Sequence, residues 1–249
     1  MVTYPAAQDL PHALVEWVTM LIATREGDRR CKLPASQRAL ITLVYLREHT
    51  TYAKLAAGFR ISESIAHAYV HSVITHLAAR APSLTRALRQ ARPEYVLVDG
   101  TLAECDRVGN GQDDYSGKHR KHGVNIQAVT GPTGELVRFS PALPGRTADI
   151  TAARAHKTVT AYERLKIPAL ADKAYQGAGG TFATPVKKHR SRELTVKEKS
   201  VNRAHARLRS PVERAFARLK AWRIFRRARV SPNTLTSMTK AVLTLERQR

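Results

Sequence analysis

The feature that most constrains this chain is a change of pattern near Pro93. Residues 9–90 read as helix throughout. Tyr95-Val-Leu-Val-Asp99 is then a short continuous apolar run, the mark of a strand buried on both faces. It ends in Asp99-Gly100-Thr101. Residues 123–130 alternate like a second strand, Gly131-Pro-Thr-Gly134 is a turn, and residues 135–140 make a third strand, so these two form a hairpin. Pro144 and Gly145 break the chain, and residues 147–157 read as helix, with more helix to Leu165. Residues 168–172 are a fourth strand, again ending in aspartate, Asp172. A basic, loop-rich segment over 173–197 leads to helix around 198–228, which restarts or kinks at Pro211, and to a last helix over 232–246.

That order predicts an α/β fold: a ribonuclease-H-like mixed-sheet domain over 93–249, preceded by an all-α domain over 1–90. In such a sheet the first and fourth strands are neighbours. Asp99 and Asp172 then converge, and the helix holding Glu213 packs across the same edge.

Within the helical third, Leu10, Leu14, Val15, Val18, Leu21 and Ile22 form one stripe, broken at Gly27 and Asp28. Pro34-Ala-Ser36 opens a second helix over 37–48. A short helix (51–57), a turn given its backbone freedom by Gly58, and a longer helix capped near Ser62 follow, with Ile61 placed to lock the two together. This is the helix-turn-helix pattern, spanning about 36–79. Its second helix offers Glu63, Ser64, His67 and Tyr69 to a major groove; an ordinary αα-hairpin shares the pattern. His67 and His71 lie at i, i+4, but no acid follows His67 directly, so a metal-binding pair of the HExxH kind is not indicated.

The 249 residues are 43% apolar, enough for a packed core. Lys and Arg number 42 against 20 acids, a net charge of +22, which points to a polyanionic partner, most simply double-stranded DNA. The two cysteines, Cys31 and Cys105, form no CxxC pair, which argues against a zinc ribbon and a disulfide framework and fits a reducing compartment. The apolar segments near the start are too short to span a bilayer, so no membrane partner is expected.

In Arg207-Leu-Arg-Ser-Pro-Val-Glu-Arg-Ala-Phe-Ala-Arg-Leu-Lys220, Val212, Phe216 and Leu219 share one helical stripe. Glu213 stands among Arg209, Arg214, Arg218 and Lys220. It has an ordinary reading: Ser210 as N-cap, Pro211 at the first helical position, Glu213 at capping-box spacing. It has a chemical one too. Three carboxylates on separate segments, held close, repel unless cations or protons intervene. Mg²⁺ takes hard oxygen ligands and completes its shell with water and phosphate, and two such ions can drive an in-line phosphoryl transfer.

Six segments in order now resemble the DDE transposases: Val98-Asp-Gly-Thr101; Tyr115-Ser-Gly-Lys-His-Arg-Lys-His-Gly-Val-Asn-Ile-Gln127; Pro144-Gly-Arg-Thr-Ala-Asp149; Ala171-Asp-Lys-Ala-Tyr-Gln-Gly177; Thr184-Pro-Val-Lys187; and Arg209 to Lys220. They look most like the insertion-sequence-five family and its Harbinger-like relatives, from about residue 30 on. The resemblance implies a catalytic, metal-binding triad of Asp99, Asp172 and Glu213, with two Mg²⁺ ions for which Mn²⁺ can substitute. It implies DNA-phosphate contacts by Arg209 and Lys220. Asp149 is a second-tier metal ligand or a structural acid at a helix N-terminus. Ala206 and Ala174 depart from the family pattern, which often has Tyr and Gly there.

The basic runs at Lys118, Arg120, Lys121 and at Lys187, Lys188 flank the site and are expected to hold DNA backbone, leaving base reading to Ser64 and His67. The activity implied is phosphodiester hydrolysis at element ends, then attack of the 3′-hydroxyl on target DNA. The partners implied are terminal repeats and target DNA in a homodimer or larger synaptic complex, in a bacterial cytoplasm, associated with the nucleoid. The competing reading is a catalytically silent DNA-binding relic or regulator.

Overall fold

The structure is a computed structural model and describes residues 9–27, 30–106, 112–188 and 191–248. The chain divides into two compact units, Met1–Ala81 with Leu219–Arg249, and Pro82–Arg218.

The first unit is helical. It holds α1 (His12–Glu26), α2 (Ala35–Glu48), α3 (Tyr52–Phe59) and α4 (Glu63–Arg80). The apolar stripe of α1 buries Leu14, Val18, Leu21 and Ile22, and Val70, Val73, Ile74 and Leu77 of α4 are buried too. Gly27, at φ 56° and ψ −145°, ends α1 as expected; Asp28 lies outside the described residues. Beneath this core, Glu26 accepts hydrogen bonds from Arg38 and, at 3.0 Å, from Ser72, with His76 at 3.1 Å. Burial pushes the Glu26 carboxyl up, but those three partners outweigh it and hold it below its ordinary value.

The expected helix-turn-helix segment is present, with its turn displaced. Gly58 lies inside α3, and the left-handed residue is Arg60, at φ 55° and ψ 46°. Ile61 N–H bonds to Ala56 O at 3.0 Å, so the helix ends in a Schellman-type closure that orphan carbonyls demand and that glycine usually fills. Ser62 caps α4 by accepting from Ile65 N–H.

The domain boundary expected near residue 93 falls at 82, and the C-terminal 31 residues group with the helices and not with the sheet. The reason is apolar surface. The last helix buries Leu235, Met238, Ala241, Val242, Leu243 and Leu245 and packs on α4, with Thr244 Oγ1 donating to Leu77 O at 3.0 Å. The fully buried Trp222 donates Nε1–H to Glu246 at 2.8 Å and lies under the Arg47 guanidinium.

The second unit opens with α5 (Leu84–Ala91) and contains β1 (Val96–Glu104), β2 (Tyr115–Ser116), β3 (Lys121–Thr130), β4 (Leu136–Phe139) and β5 (Leu143–Pro144). Then come α6 (Asp149–Ala155), α7 (Thr158–Leu165), β6 (Ala169–Ala171), a 3₁₀ turn (Lys173–Tyr175), β7 (Phe182–Ala183), α8 (Val196–Arg209) and α9 (Val212–Ala221). The boundary between the units falls inside α9, and α10 (Pro232–Glu246) is the last helix of the first unit. The sheet order is β2-β3-β1-β6-β7, with β4 and β5 also on β3. The sheet is mixed: β1 runs antiparallel to β3 and parallel to β6.

The neighbouring of the first and fourth expected strands is therefore found, as β1 and β6. Strand β1 runs five residues past Asp99, because it pairs with β3 from Leu97↔Thr130 to Glu104↔Gly123. Val96, Val98, Val129, Val137, Ala153, Tyr162 and Tyr175 form the core on one face of the sheet.

Arg60 holds a conformation that costs a side-chain-bearing residue about 1–2 kcal/mol, partly offset for glycine by its chain entropy. Arg60→Gly should stabilise the protein by about 0.5–1 kcal/mol in urea denaturation. An unchanged or lowered midpoint would show that the Arg60 side chain contributes more than its backbone costs.

Candidate active site

The parallel pairing of β1 with β6 ends at Val98↔Ala171. The next residue on each strand is an aspartate, Asp99 and Asp172, so the two carboxylates emerge side by side where the ladder stops. Each is tied at one oxygen. Asp99 Oδ1 accepts from Gly100 N–H at 2.8 Å, and Asp172 Oδ1 accepts from Ala174 N–H at 2.8 Å, capping the 3₁₀ turn.

Glu213 lies in the first turn of α9. The capping box proposed for it does not form. Ser210 has helical backbone angles and donates its hydroxyl to Arg207 O at 3.0 Å; the Glu213 N–H bonds to the Ser210 carbonyl at 3.4 Å and not to its hydroxyl. The capping box in this region belongs instead to α8, between Thr195 and Glu198. Pro211 separates α8 from α9, and the start of α9 is fastened to the β3–β4 turn: Arg214 donates to Thr133 O at 3.1 Å, and Gly134 leaves room for the Pro211 carbonyl. Glu213 is thereby held exposed and close enough to act electrostatically on Asp99. The stripe of Val212, Phe216 and Leu219 is buried as its spacing predicts.

Arg209 Nη2 lies 3.1 Å from Asp99 Oδ2, with both side chains largely buried. Burial is the strongest influence on Asp99 and pushes its carboxyl up; Arg209 and the Gly100 N–H pull it down; Asp172 and Glu213 push it up again. The balance leaves it raised to about 6. Asp172 and Glu213 thus both act on Asp99.

Oxygen-only donors suit Mg²⁺ or Mn²⁺ in kind. Among the described residues, no three acidic, histidine or cysteine side chains close around a single ion. A cation engaging Asp99 Oδ2 would take the place of the Arg209 guanidinium. Asp149 belongs to the other face of the sheet. Side chains alternate along β1, so Gly100 faces away from Asp99, and a Cβ at Gly100 would meet Asp149 Oδ1 at 2.2 Å. Asp149 opens α6, accepts from Asn125 Nδ2 at 2.8 Å and has Lys118 Nζ at 3.8 Å.

Three supports escaped the sequence. Gln127, fully buried, donates Nε2–H to both Asp149 O (2.8 Å) and Tyr175 Oη (2.9 Å). Tyr175 closes the 3₁₀ turn that begins at Asp172. His205 on α8 has its Nε2 2.8 Å from Ala171 O, the carbonyl just before Asp172. The signal for Gln127 was a polar residue at a fully buried strand position; nothing in the sequence marks the reach of His205.

The expected DNA contacts are spread over both units. Arg120 and Lys187 are exposed; Lys121 pairs with Glu104 at 2.5 Å, and Lys188 with Glu193. Lys220 is exposed near the end of α9. Ser64 and His67 are exposed at the start of α4, where His67 stacks on His71 and meets the edge of Tyr52. Tyr69 is engaged, accepting from Lys32 N–H and lying under Arg38. His189 and Arg190, which continue the basic run after Lys188, lie outside the described residues.

Residues 98–247 match the family described as DDE superfamily endonuclease, and residues 31–83 match the helix-turn-helix of DDE superfamily endonuclease. A probable transposase for insertion sequence element IS702 of Microchaete diplosiphon is 30% identical over 212 residues, covering 80% of this chain and 75% of that one. A putative transposase for insertion sequence element IS112 of Streptomyces albus G is 30% identical over 217 residues, covering 84% and 77%. No solved structure matches the chain.

A carboxyl whose pKa is raised on folding costs stability once it ionises. The cost is absent below about pH 4, grows as pH rises toward 6 and is complete above it. Asp99→Asn should therefore match the parent near pH 4 and exceed it at pH 8 by on the order of 3 kcal/mol. Equal stability at both pH values would show that Arg209 compensates the charge fully.

Proposed function

The chain belongs to the DDE superfamily endonucleases, and we propose that it acts as a DNA transposase, cutting phosphodiesters at the ends of its own element and joining the released 3′-hydroxyl to target DNA. One observation carries this reading. Asp99 and Asp172 leave adjoining parallel strands at one point of the sheet, with Glu213 in electrostatic range. The strand order and that convergence also support a ribonuclease-H-like arrangement, and the six ordered motifs support the insertion-sequence-five family within the superfamily.

Asp99, Asp172 and Glu213 are the catalytic carboxylates and would hold Mg²⁺ or Mn²⁺. The bound metal supplies activation of the attacking oxygen and neutralisation of the leaving one. Arg209 pairs with Asp99 in the free protein and turns to a DNA phosphate in the complex. Lys118, Arg120, Lys121, Lys187, Lys188 and Lys220 hold backbone, while Ser64 and His67 present the start of α4 to base edges. The domain assignment follows: reading by the helix-turn-helix, chemistry by the sheet. Synapsis of two ends calls for two or more protomers. A second reading, DNA binding without cutting, draws on the Arg209–Asp99 pair, which occupies a carboxylate the chemistry needs.

Purified protein is incubated with a supercoiled plasmid carrying its gene and native flanks, with Mg²⁺, with Mn²⁺ and with chelator. Nicks mapping to the element ends, dependent on metal and absent in Asp172→Ala, are expected. End-selective binding with no nicking in either metal would establish the silent reading.

A further inference from the structure

Helix α8 is almost unpacked. Of its 14 residues only His205 is buried, and every apolar side chain it carries is exposed. Helices of about 12–15 residues are marginal alone in water, and most owe their stability to an apolar face laid on a core. Polar anchors hold one side of α8 instead. Asn202 exchanges hydrogen bonds with the Val186 backbone at 2.8 and 3.0 Å, His205 Nε2 lies 2.8 Å from Ala171 O, and Arg209 pairs with Asp99. These three residues, at i, i+3 and i+7, mark the inner side of the helix, which meets the site at Ala171 and Asp99.

The outer side is cationic. Lys199, Arg203 and Arg207 follow one another at i, i+4 and i+8, and all three are exposed. At about 100° per residue, Arg203 and Arg207 each stand about 160° round the helix from His205, and Lys199 about 120°. They recur about 6 Å apart along the axis. Among the described residues no carboxylate pairs with them. The acid of this helix, Glu198, lies on the line of His205 and is turned to Arg192 and Thr195. Like charges at i, i+4 destabilise a helix. The stripe therefore weakens a helix that already lacks packing, until an anion lies along it.

We propose that the outer face of α8 grips a second segment of double-stranded DNA, distinct from the one laid on Asp99 and Asp172. The proposal rests on the transposase reading of the site. A helix with its side chains is about 10–12 Å across. The strand under attack lies on the inner side, so Lys199, Arg203 and Arg207 are left for other DNA. Joining an element end to a target involves two segments, and α8 stands between them. Charge decides the occupant. Val201 and Leu208 are exposed on a further line of the helix and could meet a second copy of the chain. That copy brings a net charge of +22 to a face that already carries three cations. Duplex DNA brings one negative charge per about 1.7 Å of its axis.

The test saturates a bead-bound duplex carrying an element end with the full chain, in chelator so that nothing is cut, and adds a labelled duplex without the end sequence. The parent should retain the labelled duplex. The triple variant Lys199→Gln, Arg203→Gln, Arg207→Gln keeps good helix formers. It should hold the bead-bound end as before and retain the labelled duplex about tenfold less, with the slope of log K against log salt smaller by about 2.7. Arg203→Lys with Arg207→Lys should behave as the parent, since a phosphate contact needs the charge alone. Lengthening the flank of the bead-bound duplex separates the two sources: end affinity that rises with flank length in the parent only identifies the element's own flank, and retention of the labelled duplex at every length identifies a separate one. Equal retention and slope in parent and triple variant overturn the proposal, as does a parent that retains no labelled duplex and ignores flank length; end-selective binding then leaves the transposase reading standing. Loss of self-association in the triple variant, by sedimentation without DNA, with an unchanged salt slope gives the face to a second copy and also overturns it. Absence of end-selective binding counts against the transposase reading; the face is then judged on plain duplex, where a slope smaller by about 2.7 in the triple variant supports the grip and an equal slope overturns it.

Discussion

Everything in the sheet unit turns on the repulsion between carboxylates at the end of the β1–β6 ladder. A folded chain does not gather Asp99, Asp172 and Glu213 without cost. Burial and two like charges raise Asp99 to about 6 even with a guanidinium 3.1 Å away. Arg209 is the internal counter-ion that makes the cluster tolerable in the free protein. The same arginine lies four residues before Glu213, across the Pro211 break, so one short segment brings both the third carboxylate and the cation that neutralises the first.

The surrounding scaffold reads as a set of restraints on that cluster. The parallel ladder sets the spacing of the two strand ends. Gln127 and Tyr175 fix the turn after Asp172 from one face of the sheet, and His205 fixes the residue before it. The β3–β4 turn anchors the start of α9 through Arg214. Such fastening from several elements would suit the proposed metal-assisted phosphoryl transfer, whose rate depends on held geometry more than on any single group.

Much of this was legible in the sequence, for identifiable reasons. The run at residues 95–99 had to be an inner strand because it is apolar without alternation, and the aspartates at the ends of two such runs leave adjoining strands side by side. Local backbone choices were less legible. Gly58 was the natural turn residue, yet the chain put Arg60 in the left-handed position, since the Schellman closure counts from the last helical turn and accepts a non-glycine at modest cost. Ser210 and Glu213 had capping-box spacing, but the break at Pro211 kept Ser210 helical. Sequence order alone places the last helix with the sheet; its largely apolar, buried surface belongs with the helical unit instead. Partners far apart in sequence, such as His205 with Ala171, leave no local pattern at all.

In the proposed site, Asp99, Asp172 and Glu213 together bind a divalent cation that displaces Arg209 from Asp99. The most direct measurement is Fe²⁺-directed cleavage of the polypeptide, in which iron at a metal site generates radicals that cut the nearby backbone. Cuts near residues 99, 172 and 213, suppressed by excess Mg²⁺ and absent in Asp99→Ala, are expected. Cuts elsewhere, or none that Mg²⁺ protects, would contradict it.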